Sequence, residues 1–343
     1  MTLTTRRVAV VSAMIAAIAV AGAVIAARLR SEDPLAALPR ELPGVPIVER
    51  EVWREHWNGR VLVHVSLEGT AVGRVRFVVS LPDPVPPVRV PLVVVLGGLR
   101  GGSNAIRELS EVAGDPGPIA VVGFDWPLPA RDPGVAELVV RSSAFRRGAL
   151  SVPGQVDVLL RWALRQSWAD PQRVSLLGYS LGGFAIPAAQ RLVELRGGSV
   201  GWTVLAYAGA TIGDVVAGHP KLRPRWLATA LGAATDVLLR PIEPSNHLPH
   251  LHGRFLLVGG RTDRLIPPGA AERMRTLTPE PRAVVLIPGE HMGVGANKDR
   301  LLREVVAVTR SWLIEQGAID AADAAGRAAA VRRRPARTDP HAP

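Results

Sequence analysis

The sequence has no cysteine among its 343 residues. Disulfides, thiolate nucleophiles and zinc or iron–sulfur sites built on Cys are therefore excluded. The compartment stays open, because a disulfide-free protein can work on either side of a membrane. Lysine is almost missing as well: Lys221 and Lys298 are the only two, so nearly all of the 41 basic residues are arginine. There is also no Lys/Arg stripe interleaved with aromatics, which argues against a nucleic-acid partner despite a formal net charge of +11. Residues 1–30 hold four arginines and no acid, and residues 317–343 hold five arginines and three aspartates, which leaves the long stretch between them only mildly basic. At 48% hydrophobic and 21% charged, the composition suits a globular protein with a large core, and neither a disordered chain nor a polytopic membrane protein.

One long apolar run is present. Val8 to Ala27 carries no charge and lies between Arg6-Arg7 and Arg28. A helix of that length spans a bilayer at 1.5 Å per residue, so residues 1–30 are expected to be an N-terminal transmembrane anchor. The domain that follows would then be extracytoplasmic. Small residues at Ala21-Gly22-Ala23 and Ile25-Ala26-Ala27 leave open a cleaved signal and a secreted product. Four prolines in residues 31–50 predict a stiff linker. The stretch 317–343, rich in Ala, Arg and Pro, reads as an irregular tail.

Between 51 and 316 the pattern alternates. Arg60–Leu67 and Val72–Val79 alternate as strands of a hairpin do. Short apolar runs at Val90–Leu96, Ile119–Phe124, Val174–Leu177, Trp202–Tyr207, Phe255–Val258 and Ala283–Ile287 read as buried strands. Helical spacing marks Val152–Trp168, Leu181–Leu195, Gly269–Thr276 and Asp299–Glu315. Strands alternating with helices predict an α/β fold with a mostly parallel central sheet and helices on both faces. Chemistry in such a sheet gathers at the carboxyl ends of the strands.

Three strand ends carry reactive residues. Val174–Leu177 runs into Gly178-Tyr179-Ser180-Leu181-Gly182, with a helix after it. In this G-x-S-x-G setting the turn from strand to helix holds the serine hydroxyl above the sheet, at a helix N-terminus that favours developing negative charge. A serine needs a base, and the base needs an orienting carboxylate. Phe255–Gly260 leads into Arg261-Thr262-Asp263, and Val284–Ile287 into Pro288-Gly289-Glu290-His291. Asp263 and His291 are therefore the candidate acid and base.

The order Ser180, Asp263, His291 on these motifs resembles the α/β-hydrolase fold superfamily, over most of residues 55–316. The turn Gly97–Gly102 and Asp170-Pro171-Gln172-Arg173-Val174 are most similar to esterases, dienelactone hydrolases and prolyl peptidases. The resemblance implies a carboxylesterase-like serine hydrolase with an acyl-enzyme on Ser180, a small-molecule ester substrate, and no cofactor or metal. A peptidase or amidase of the same fold, or a non-catalytic binding module, is the alternative. Oxyanion donors are expected from the N–H of Leu181 and from the turn after the third strand, at Leu99 or alternatively Gly98. Gly97 stands where relatives often have histidine. The resemblance also places a cap at 208–252, where Trp226, Leu227, Leu231 and Val237–Leu239 are apolar enough for one or two helices. Glu243, His247, His250 and His252 cluster there, but Pro249 interrupts them and a full zinc ligand set is lacking. The glycines of 97–102 are not followed by the Gly-Lys-Ser/Thr of a phosphate-binding loop.

Overall fold

The structure, a computed structural model, describes residues 24, 26–41, 47–98, 102–128, 137, 140–293 and 297–320. The expected anchor Val8–Ala27 lies almost wholly outside them. Among the described residues no helix is long and apolar enough to cross a membrane.

Among the described residues nine strands form one sheet. They are β1 (Val48–Trp57), β2 (Arg60–Glu68), β3 (Val75–Pro82), β4 (Val90–Leu96), β5 (Ala120–Phe124), β6 (Ala169–Tyr179), β7 (Trp202–Ala206), β8 (Arg254–Gly260) and β9 (Arg282–Ile287). Their spatial order is β1-β2-β3-β5-β4-β6-β7-β8-β9. The pairs from β5 through β4 to β9 are parallel, whereas β1/β2, β2/β3 and β3/β5 are antiparallel. The expected mostly parallel sheet is thus present, with an antiparallel flank.

Helices cover both faces. The principal ones are α1 (Gly102–Ala113), α2 (Ser142–Ala163), α3 (Leu181–Leu195), α4 (Ile212–Gly218), α5 (Arg225–Leu238), α6 (Pro268–Leu277) and α7 (Lys298–Glu315). Strand β4 shows why the sheet needs two covers. All seven of its residues are buried. Leu92, Val94 and Leu96 join the core under α2 and α3, while Val93 and Val95 join the core under α1 and α7. Successive side chains point to opposite faces, so a continuous apolar run is stable only between two helical layers.

The structure departs from the sequence reading at identifiable places. Helix α2 starts at Ser142, ten residues before the expected Val152. Its first two turns, Ser142–Gly148, are rich in Arg, Gly and Ser, which hides the apolar period. Strand β6 starts at Ala169 rather than Val174. Strand β1 begins inside the stretch read as linker; it is a largely exposed edge strand and so lacks a buried strand's apolar run. Residues 32–41 of that stretch lie against the body instead of extending from it. Leu35 and Leu38 are buried with Leu150, Ala188 and Ile242. The Glu41 carboxylate accepts from Ala71 N at 2.9 Å, and its carbonyl accepts from Arg196 at 2.7 Å. At the other end, Ala318 and Ile319 of the expected tail are buried too.

Between β7 and β8, helices α4 and α5 pack on each other and are followed by three short 3-10 turns, Arg240–Ile242, Pro244–Asn246 and Leu248–His250. His247 is fully buried here and its Nε2 meets the Pro241 carbonyl at 2.8 Å. Burial pushes its pKa from 6.5 down to about 4. The unfolded chain therefore takes up this proton near pH 6.5 and the folded chain only near 4. Stability is full above pH 6.5 and is lost as pH falls toward 4, by up to about 3 kcal/mol. Thermal melts between pH 7 and pH 4.5 are expected to show this slope, and a His247→Gln variant is expected to flatten it. Equal slopes in the two proteins would rule the assignment out.

Candidate active site

Ser180 sits where β6 ends and α3 begins, with φ +52° and ψ −115°. A non-glycine residue rarely adopts a positive φ, and here the surroundings enforce it. Its N–H donates to the Ala206 carbonyl (2.8 Å) and its carbonyl accepts from Gly183 N (2.9 Å). The flanking glycines are needed for packing. A Cβ on Gly178 would lie 2.7 Å from the backbone of Gly182 and Gly183, and one on Gly183 would lie 2.5 Å from Ala208 Cβ. Leu181 opens α3, so its N–H is among the first-turn donors that no helical carbonyl satisfies.

Asp263 follows β8. Its Oδ1 accepts from the N–H groups of Leu265 (2.8 Å) and Ile266 (3.2 Å), leaving Oδ2 to point at His291 Nδ1 at 2.8 Å. His291 follows β9. Both side chains are almost completely buried, at 6% and 7% exposed. Their loops are stitched together by Arg261 N to the Ile287 carbonyl and Thr262 N to the Gly289 carbonyl. Gly260 has no room for a side chain, since a Cβ would stand 2.7 Å from the carbonyls of Gly289 and Glu290. The far nitrogen, His291 Nε2, lies 3.0 Å from Ser180 Oγ. A carboxylate can only accept, so a neutral His291 carries its proton on Nδ1 and leaves Nε2 free to accept from the serine.

Three residues separated by up to 111 positions thus meet in one hydrogen-bonded row. Sequence reading missed a fourth neighbour. Tyr207, at the carboxyl end of β7, has φ +54° and packs edge-to-face against His291, ring centres 5.3 Å apart. It is buried, and its hydroxyl has no hydrogen-bond partner among the described residues. Burial, and then the negative charges of Asp263 and Glu304, push its phenol up to about 12. The ring stays neutral beside the imidazole. The one signal in the sequence was its position at a strand end.

Leu99, the first choice for the second oxyanion donor, lies outside the described residues. Gly98 is described: its carbonyl accepts from the Trp126 indole at 2.8 Å. At the other end of the turn, Gly102 N donates to the Asp125 carboxylate at 2.5 Å. Both ends of the turn after β4 are therefore anchored to the end of β5. The acid and histidines of 243–252 take separate partners. Glu243 accepts from the N–H groups of Thr211 and Ile212, and His252 pairs with Glu194.

No protein-family model matches the chain. An uncharacterized protein of Mycobacterium tuberculosis (strain ATCC 25618 / H37Rv) is 26% identical over 232 residues, covering 66% of this chain and 70% of its own. The equivalent protein of strain CDC 1551 / Oshkosh matches equally. Among solved structures, an acetyl xylan esterase from Paenibacillus sp. R4 superposes with a TM-score of 0.56 at 15% identity, covering 77% of this chain and 89% of its own. The 2,6-dihydroxy-pseudo-oxynicotine hydrolase gives 0.53 at 16% identity, over 82% and 71%. Acetyl xylan esterase 1 from Thermoanaerobacterium sp. JW/SL YS485 gives 0.50 at 15%, over 80% and 91%. Identities this low bear on architecture alone, and the architecture is shared: this chain has the α/β-hydrolase fold.

Proposed function

We propose that the chain is a serine hydrolase that cleaves a carboxylic ester through an acyl-enzyme on Ser180. The observation that carries this reading is the row from Ser180 Oγ through His291 to Asp263, at 3.0 and 2.8 Å. One fold hosts many unrelated activities, so the activity follows from this site. The esterases among the structural neighbours fit the reading without establishing it.

In the proposed cycle Ser180 Oγ attacks the acyl carbon while its proton passes to His291 Nε2. Asp263 holds the imidazole in the tautomer that can accept it and stabilises the imidazolium that results. The carbonyl oxygen becomes an oxyanion, met by Leu181 N–H and by a main-chain donor of the turn after β4. His291 then gives its proton to the leaving oxygen, and the alcohol departs. Water attacks the acyl-enzyme, losing its proton to His291, and the carboxylic acid leaves as Ser180 regains its proton.

A fluorophosphonate probe reads the nucleophile directly. The folded chain is expected to be labelled once, and Ser180→Ala not at all. No labelling of the wild type, or equal labelling of both, would sink the reading and favour a binding module. Turnover of an aryl acetate against a peptide amide then separates an esterase from a peptidase.

A further inference from the structure

Beside the turn after β4 runs a groove of about 870 Å³ that the proposed cycle does not use. One wall is β3 and the loop before it, the opposite wall is the start of α2, and Asp125 and Trp126 close the end next to the turn. These two residues also hold Gly102 N and the Gly98 carbonyl, so the groove adjoins the expected oxyanion turn.

Its titratable lining is one-sided. Among the described residues, Arg74, Arg76, Arg146 and Arg147 face it, against Asp125 alone. Arg74 is paired with Glu68 at 3.2 Å. Arg146 is held by its Nε on the Leu238 carbonyl of α5 at 3.0 Å, which fixes the guanidinium and leaves its outer nitrogens open. Arg76, Arg146 and Arg147 have no carboxylate partner among the described residues. Three unpaired guanidinium groups around one concavity repel each other, and a low-dielectric cleft focuses their field. Once Arg74–Glu68 and Asp125 are set aside, the described lining residues carry two positive charges in excess.

We infer that this groove binds a dianionic group of the phosphate type, belonging to a ligand with an organic body. The charge excess matches a dianion, and guanidinium forks match its oxygens two at a time. A bare ion would leave most of the volume empty. Ala37, Pro39, Val72, Pro127 and Leu128 add an apolar lining against which a carbon skeleton can lie. The shared chemistry is a phosphate on an organic skeleton, whether soluble or in a lipid headgroup.

The test uses the full chain. Calorimetric titration with inorganic pyrophosphate, the soluble probe, is expected to give saturable binding that weakens with salt. An Arg76→Gln/Arg147→Gln double variant is expected to weaken it by about ten- to a hundred-fold, with an unchanged near-UV circular dichroism spectrum because both side chains are exposed. Arg74→Gln, whose exposed guanidinium is held by Glu68 in a network shared with Arg50, is expected to change it by less than about threefold. Co-sedimentation with vesicles of phosphatidylcholine, with and without phosphatidic acid, whose phosphomonoester headgroup can carry two charges, supplies the lipid arm. The apolar run Val8–Ala27 acts alike in wild type and variant, so the readout is the phosphatidic-acid-dependent difference between them. Loss in the pyrophosphate arm assigns a soluble ligand, and loss in the vesicle arm alone assigns a lipid headgroup. The inference is overturned by absence of wild-type binding in both arms, or by a double variant that binds as the wild type does.

Discussion

Asp263→Asn is expected to lower kcat for ester hydrolysis by about four orders of magnitude while leaving the fold intact. The reason lies in how the carboxylate is shared. Oδ1 accepts from the backbone N–H groups of Leu265 and Ile266, and Oδ2 faces His291 Nδ1. An asparagine that keeps its oxygen toward those two donors must turn its amide N–H₂ toward the imidazole. His291 Nδ1 can then only accept, so the ring proton moves to Nε2. That nitrogen lies 3.0 Å from Ser180 Oγ and, once protonated, can no longer take the serine proton. The opposite orientation of the amide leaves two backbone donors facing an N–H₂ group in a site only 6% exposed, which costs more. Steady-state kinetics with an aryl acetate, beside a thermal melt, checks the result. A variant with kcat within tenfold of wild type would remove Asp263 from the mechanism.

Gly182→Ala is expected to cost about 4 kcal/mol of stability, through packing alone. A Cβ at this position would sit 1.9 Å from the Leu96 carbonyl oxygen and 2.9 Å from Leu96 Cβ. Leu96 is fully buried at the end of β4, in the core beneath α3. The helix has little freedom to withdraw. Its first turn is already against Gly178 on one side and Ala208 on the other. The clash therefore has to be relieved by separating the central strand from the helix that carries the serine. In a thermal melt the midpoint should fall by roughly 10 °C. Gly269→Ala is the matched control: a Cβ there meets nothing within 4 Å, and the position lies in the first turn of α6. It is expected to be neutral or slightly stabilising. A Gly182→Ala protein as stable as the control would mean that the close approach of α3 to β4 is not obligatory.

The two variants mark how far the site was legible beforehand. Ser180, Asp263 and His291 could be picked out because each ends an apolar run, and a parallel sheet delivers all such ends to one side. The glycines around Ser180 were readable because the strand-to-helix turn demands them. Tyr207 was not readable in the same way. Nothing in Trp202–Ala206 indicates that the next residue will adopt a positive φ and lie across the imidazole. The Tyr207 N–H donates to the Val258 carbonyl of the neighbouring strand at 2.7 Å, a contact that no local pattern announces. The docking of residues 32–41 through Leu35, Leu38 and Glu41 was hidden for a related reason. A short segment with four prolines nearby has no periodicity to reveal which surface its two leucines meet.

Periodicity and turn chemistry, which are local, settled the alternation of strands and helices, the two-sided burial of the central strands and the chain order of the candidate residues. Apart from the β2/β3 hairpin, strand neighbours were beyond their reach, because pairing depends on hydrogen bonds between segments far apart in the chain. Only the fold inserts β5 between β3 and β4, and this brings Asp125 and Trp126 to the turn after β4. It also sets Arg76 of β3 across from Arg146 and Arg147 of α2, 70 positions on. The candidate residues Ser180, Asp263 and His291 were written along the chain in order. The arginine groove was not, since its charges come from segments that share no motif and meet only because the sheet places their ends side by side.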